Sequence, residues 1–259
     1  MMARRTAFTE MLRCTLLGHL HSRIAVLLAV VFIPAWIAVA RLCAPGRPVL
    51  FSLHSAGVVV HARANQVSQV VNALAAVSLV IGFSMFMETF KAGEMDRRLV
   101  LAGYPRPQML LAKISAAALI SALLALYAAV LLRSSLPVTQ LSPLVLALFS
   151  AGLAYGGIGL LLGSLVRGEL EGFFFVIMLS LVDTGLQNPV LNVADITGLT
   201  VLPLYGANQS ALAAAFTSVA PWFYGLPSLA WCAVTSALAL SAFYVRTRSH
   251  CRIAPEAPV

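Results

Sequence analysis

One acid stands inside an otherwise apolar run. In the stretch 172–189, GFFFVIMLSLVDTGLQNP, Asp183 is the only ionisable side chain. A charge that deep in hydrocarbon is costly unless it is paired, hydrated or protonated. Gln187 follows at i+4 on the same helical face, Ser180 lies one turn earlier, and Thr184 and Asn188 flank the acid. Two roles are open to this polar stripe: contact with a cargo molecule, or hydrogen bonds to a neighbouring helix that hold the segment in place until Pro189 ends it. The structural role is the expectation. Enzymatic chemistry has little else to draw on. His19, His21, His54, His61 and His250 all fall outside the long apolar runs, which removes a buried Ser–His pair or a histidine zinc site. There is no HExxH, no DGxxAR-like signature and no GxxxxGK[ST] loop to cradle ATP phosphates. The cysteines at 14, 43, 232 and 251 form no CxxC pair, so neither a disulfide framework nor a metal site is expected.

Such a stripe needs helices to position it, and composition says in which solvent. With 60% apolar residues, 10% charged residues and a mean hydropathy of +0.92, the 259-residue chain carries more apolar surface than a soluble core of that size can hide. It reads as a single all-α integral membrane domain. The net charge of +8 belongs to topology rather than to nucleic acid, because Lys and Arg cluster at the ends of apolar runs with no interleaved aromatic residues.

Six spans are expected, at about 24–40, 67–87, 109–132, 142–166, 172–189 and 222–245. Before them, residues 6–23 place Phe8, Met11, Leu12, Thr15, Leu16 and Leu20 on one face and Glu10, Arg13, Leu17 and His21 opposite, the pattern of an interfacial helix. That segment is long for the leading region of a signal peptide, despite the small residues at 38–40. With both termini inside, 13 of the 17 Lys and Arg residues fall on the inner side, which sets an N-in, C-in topology. The outer loop 41–66 is long enough to fold partly. The stretch 190–221 has Asp195 as its only charge and a small-residue helix former at 207–217; it is expected to dip into the membrane surface and pack on protein. In the fourth span Gly152, Gly156, Gly159 and Gly163 are spaced 4, 3 and 4, leaving one helix face almost bare backbone for close packing.

The inner loop 91–113, KAGEMDRRLVLAGYPRPQMLLAK, holds five of the 17 basic residues. Its first half, 93–102, predicts a short amphipathic helix. Met95, Leu99 and Ala102 share one face, and Glu94, Asp96, Arg97 and Arg98 take the others, until Gly103, Pro105 and Pro107 stop it. A charged helix clamped between two spans is a handle for a soluble partner; the alternative is a solvated topology signal.

The layout, with the run Glu94, Arg97, Leu99, Leu101, Pro105, Leu110, Leu111 and Lys113, resembles the permease subunit of ABC-2 type transporters, exporters of drugs, lipids and polysaccharides. Two details depart from the family pattern: Pro105 lies closer to the closing Lys113, and Tyr104 stands where a small residue is common. The resemblance implies a multi-pass plasma-membrane protein that works as a homo- or heterodimer bound to a separate P-loop ATPase. It implies a coupling surface of Glu94, Asp96, Arg97, Arg98, Leu99, Tyr104, Pro105 and Arg106, and export of a hydrophobic or amphiphilic molecule. No cofactor is expected on this chain, since ATP and Mg2+ would bind the partner. The competing readings are a non-transporting membrane anchor or assembly subunit, and an intramembrane enzyme built on Asp183 or loop residues.

Overall fold

The computed structural model describes residues 2–191, 197–219 and 222–248. Asp195, His250, Cys251 and Arg252 lie outside the described residues, as do the side chains of Leu20, His21 and Arg106. Helix α1 runs Met2–His21, turning Thr15 inward and leaving Arg13, Cys14 and Leu17 exposed. The first apolar segment is then built in three pieces: α2 (Arg23–Leu27), a π-helical turn (Leu28–Phe32) and α3 (Ile33–Cys43). Pro34 explains the break. It has no N–H for the carbonyl four residues earlier, at Val30, and its ring crowds that turn. The orphaned Val30 carbonyl instead accepts a hydrogen bond from the Tyr127 hydroxyl of the helix alongside, at 3.2 Å, as a carbonyl in an apolar setting must.

The outer loop is not helical. Residues β1 (Pro48–Leu53) and β2 (Val58–Arg63) pair antiparallel with Leu53 opposite Val58, and Gly57 takes φ +63 in the turn. Apart from this hairpin the described chain is mostly helical, as expected of an all-α membrane protein. From its last residue, Arg63, helix α4 starts and runs Ala64–Leu101, 38 residues. That is about 57 Å at 1.5 Å per residue, far more than roughly 30 Å of hydrocarbon, so α4 must project well past any membrane core. After a sharp turn come α5 (Arg106–Ser135), α6 (Leu141–Leu165), α7 (Glu169–Leu186), α8 (Tyr205–Phe216) and α9 (Leu226–Arg248).

Helices α4 and α6 form the centre: nearly every residue of α4 from Ala64 to Phe86 and of α6 from Leu144 to Ser164 is buried or half-buried, and the other helices pack around the pair. The glycines of α6 allow this. A Cβ at Gly159 would overlap the Gly82 carbonyl oxygen and lie 3.0 Å from the Phe86 nitrogen, and one at Gly163 would lie 2.8 Å from the Phe86 carbonyl oxygen. Backbone therefore meets backbone. Gly156 is looser, with its nearest neighbour at 3.4 Å.

Among the described residues, five helical stretches are long and apolar enough to cross a membrane: Ala25–Cys43, Ala64–Leu101, Pro107–Ser135, Leu141–Leu165 and Trp222–Val245. Helix α7, counted as a span in the sequence, is the exception. It has 18 residues, and Glu169, Glu171 and Asp183 make it the most acidic of the long helices for its length. Large apolar side chains stand exposed along α5 (Leu119, Leu123, Leu126, Val130) and α7 (Phe174, Ile177, Leu181), surface that water would not tolerate and hydrocarbon does. The chain is a membrane-embedded helical protein.

Candidate functional site

The charged loop is not a separate helix. The sequence KAGEMDRRLVLA is rich in strong helix formers, and α4 continues through it without a break to Leu101. The stop falls where the glycine and prolines put it. The Gly103 and Tyr104 amides return to the Val100 and Leu99 carbonyls, at 3.0 and 2.9 Å. Gly103 adopts φ +92, a conformation that side chains resist. Pro105 is then the N-cap of α5 and Pro107 lies in its first turn.

The orientation of this end differs from the amphipathic reading. Asp96, expected on the solvent side, is 3% exposed, and its Oδ2 accepts a hydrogen bond and ion pair from Lys113 Nζ of α5. Lys113 is equally buried. Met95, expected on the packed face, is 63% exposed. The reason is the counter-ion: a buried ammonium on α5 needs a carboxylate, and turning Asp96 towards it turns Met95 away. Glu94, Arg97, Arg98 and Leu101, spaced 3, 1 and 3, form the exposed face, while Leu99, Tyr104 and Pro105 are half-buried. Asp96 therefore belongs to the anchorage of the loop and not to a surface that a partner could touch.

Around Asp183 the structure gathers four segments. The carboxyl is fully buried. Its Oδ2 accepts from the Tyr155 hydroxyl of α6 at 3.0 Å and from the Leu204 amide at 3.2 Å, and its Oδ1 accepts from the Gln187 side-chain amide. The Gln187 carbonyl in turn accepts from Asn208 Nδ2 of α8 at 2.9 Å. Ser180 shares this inward face, Thr184 is half-buried, and Asn188 turns to its own backbone, accepting from the Val190 amide at 3.0 Å. Sequence spacing brought Ser180, Asp183 and Gln187 together; it gave no sign of Tyr155, which lies 28 residues upstream among the glycines. Every group facing the carboxylate donates. Such a cluster ties the acid to α6 and to the start of α8 through its own hydrogen bonds.

A third polar group lies where α1 meets α4, and it was missed because His19 and Glu88 sit on different segments. His19 Nδ1 is 3.0 Å from the Thr15 carbonyl and 2.8 Å from Glu88 Oε2. A carbonyl only accepts, so Nδ1 carries a hydrogen. Burial pulls the imidazole pKa down, but the hydrogen bond and charge of Glu88, with the Thr15 carbonyl, more than offset it, leaving it above its ordinary 6.5. Among the described residues, no three His, Cys, Asp or Glu side chains converge as a metal site would require.

Compared with known families and with curated proteins, the chain matches neither: no family model and no curated relative corresponds to it.

Proposed function

We propose that the chain is the membrane-spanning permease subunit of an ABC-2 type transporter. It would use ATP hydrolysed by a separate P-loop ATPase to export a hydrophobic or amphiphilic molecule such as a drug, antibiotic or lipid. In this reading α7 is the sixth crossing, both termini are cytoplasmic, two permease copies, identical or different, pair in the plasma membrane, and the Gly103 turn faces the ATPase. The observation that carries it is the build of α4. One uninterrupted helix joins the packed centre of the bundle to an exposed face of Glu94, Arg97, Arg98 and Leu101, and the Asp96–Lys113 pair ties that end to α5. A push on the exposed face is thereby delivered to two helices at once, instead of being lost in a flexible loop.

The test is co-purification with a P-loop ATPase encoded beside this chain, followed by ATP-dependent transport in vesicles. Leu101→Ala removes an apolar anchor that is 70% exposed in the chain alone. If the ATPase buries that side chain, the loss is about 2 kcal/mol, roughly thirtyfold in affinity. Replacing Arg97 and Arg98 by Glu should slow association, most at low ionic strength where screening is least. The Arg variant is checked with reporter fusions for correct insertion, because it moves charge in a topology-setting loop. Wild-type binding and transport in both variants would reduce this end of α4 to a topology signal.

A further inference from the structure

A groove of about 760 Å3 opens between α1, the loop-side half of α4 and the start of α7, within the volume range of ligand sites. Its floor is apolar. Phe83 of α4 stacks on Phe173 of α7 with ring centroids 4.5 Å apart, and Met87 completes the surface. Its rim carries both signs of charge: His19 and Lys91 on one hand, Glu88 and Glu169 on the other. The change from floor to rim falls where α4 leaves its long buried apolar run, the kind of boundary at which a membrane turns from hydrocarbon to head groups.

His19 and Glu88 form a pair at the edge of the groove. The His19 side chain is 10% exposed. Nδ1–H donates to the Thr15 carbonyl and lies 2.8 Å from Glu88 Oε2, and among the described residues the buried Nε2 has no hydrogen-bond partner. His19 lines the groove with the rest of its ring, while Nε2 itself is covered. We propose that the groove binds the head group of a zwitterionic phospholipid, its phosphate at Lys91 and its ammonium at Glu169, with the start of the acyl chains on Phe83 and Phe173. The charges select this class. An anionic lipid would satisfy Lys91 and leave its phosphate facing Glu169, and a cationic amphiphile would do the reverse. Glu88 is paired with His19, which leaves Glu169, in the first turn of α7, as the rim acid for the ammonium. The site is independent of the transport reading, since it requires neither nucleotide nor partner.

The experiment uses the full chain in neutral maltoside micelles, titrated with a phosphatidylethanolamine that carries its fluorophore on an acyl chain. Unlabelled phosphatidylglycerol and an alkylammonium amphiphile serve as competitors. Saturable binding at one lipid per chain is expected, with each competitor at least about tenfold weaker. Lys91→Ala and Glu169→Gln, both at exposed rim positions, should each weaken binding about tenfold, the equivalent of one charge contact, while Lys91→Arg retains it. Leu123→Ala, on the exposed face of α5, should leave it unchanged. Non-saturable binding, or equal losses in Leu123→Ala, would overturn the site. Equal competition by phosphatidylglycerol with Glu169→Gln silent would make it a phosphate site only, and equal competition by alkylammonium with Lys91→Ala silent a cation site only; either overturns the zwitterion assignment. The competition series on the wild-type chain decides the matter even if a variant folds poorly.

Discussion

Removing one partner of the Asp96–Lys113 pair tests whether the end of α4 is anchored as described. In Asp96→Ala the Lys113 ammonium stays where it is, 3% exposed, against a wall that includes Met109, Leu160 and Leu240. Breaking a buried pair from one side costs about 3–5 kcal/mol, because an uncompensated charge is left in a poor solvent. A void of about 30 Å3 beside the pair has room for one water, which hydrates the ammonium and places the expected cost near the lower end, about 3 kcal/mol. The matched double variant, Asp96→Leu with Lys113→Met, removes both charges and fills the space, so it should lie within about 1–2 kcal/mol of wild type, on either side. Unfolding by SDS in mixed micelles, read as loss of helix signal, gives the three values, and the cycle isolates the pair. A single variant costing under about 1 kcal/mol would mean that the pair is solvated. A double variant as unstable as the single one would mean that packing, and not orphaned charge, sets the cost. Either result would remove the rigid link between α4 and α5 on which the lever argument rests.

Two further outcomes follow from register and from charge. Gly159→Ala should lower folded yield and cost about 1–3 kcal/mol by overpacking, because its Cβ overlaps α4 backbone, whereas Gly156→Ala, meeting only side-chain atoms at 3.4 Å and beyond, should be near neutral; equal behaviour of the two would refute the α4–α6 register. The folded pKa of His19 is raised above 6.5 by its partners, so its contribution is complete below that value and is lost as pH rises through the folded value. The stability gap between wild type and His19→Gln should therefore be larger at about pH 5.5 than at about pH 9, and a gap that stays constant or widens would show that protonated His19 does not fasten α1.

Legibility in the sequence followed the range of the forces. Apolar length is local, and five stretches recognised by it are helices in the structure. The turn after α4 was legible because Gly103, Pro105 and Pro107 act on their own backbone. The continuity of α4 was not, because Glu88 and Lys91 look like the end of a span while the residues after them still favour helix. The hairpin was readable and passed over: PVLFSL and VVVHAR, rich in β-branched and aromatic residues, flank His-Ser-Ala-Gly, but they were treated as one polar loop. What could not be read is what depends on a partner far along the chain. Nothing near Asp96 announces Lys113, nothing near Asp183 announces Tyr155, and the direction of each acid on its helix follows from those partners.

The same dependence governs the surroundings of Asp183. Non-helical backbone within an apolar bundle must find its hydrogen bonds on protein, and the residues just before α8 do so: the Val201 carbonyl accepts from Trp231 Nε1 at 2.9 Å, the Pro203 carbonyl from Ser228 Oγ at 2.9 Å, and the Leu204 amide donates to Asp183. Leu204 is the N-cap of α8, so the carboxylate also sits at the positive end of that helix's dipole, where an anion is stabilised. Three hydrogen bonds and a helix terminus thus offset the cost of burying the acid. They do so by fixing α6, α7 and the start of α8 to one another. A cargo group could reach Asp183 only by displacing Tyr155, Gln187 or the Leu204 amide. Displacing the Leu204 amide would leave the start of α8 with a backbone donor that has no other described partner. The acid that looked most like a transport site in the sequence is held, in the fold, by bonds whose loss would undo the segment it organises.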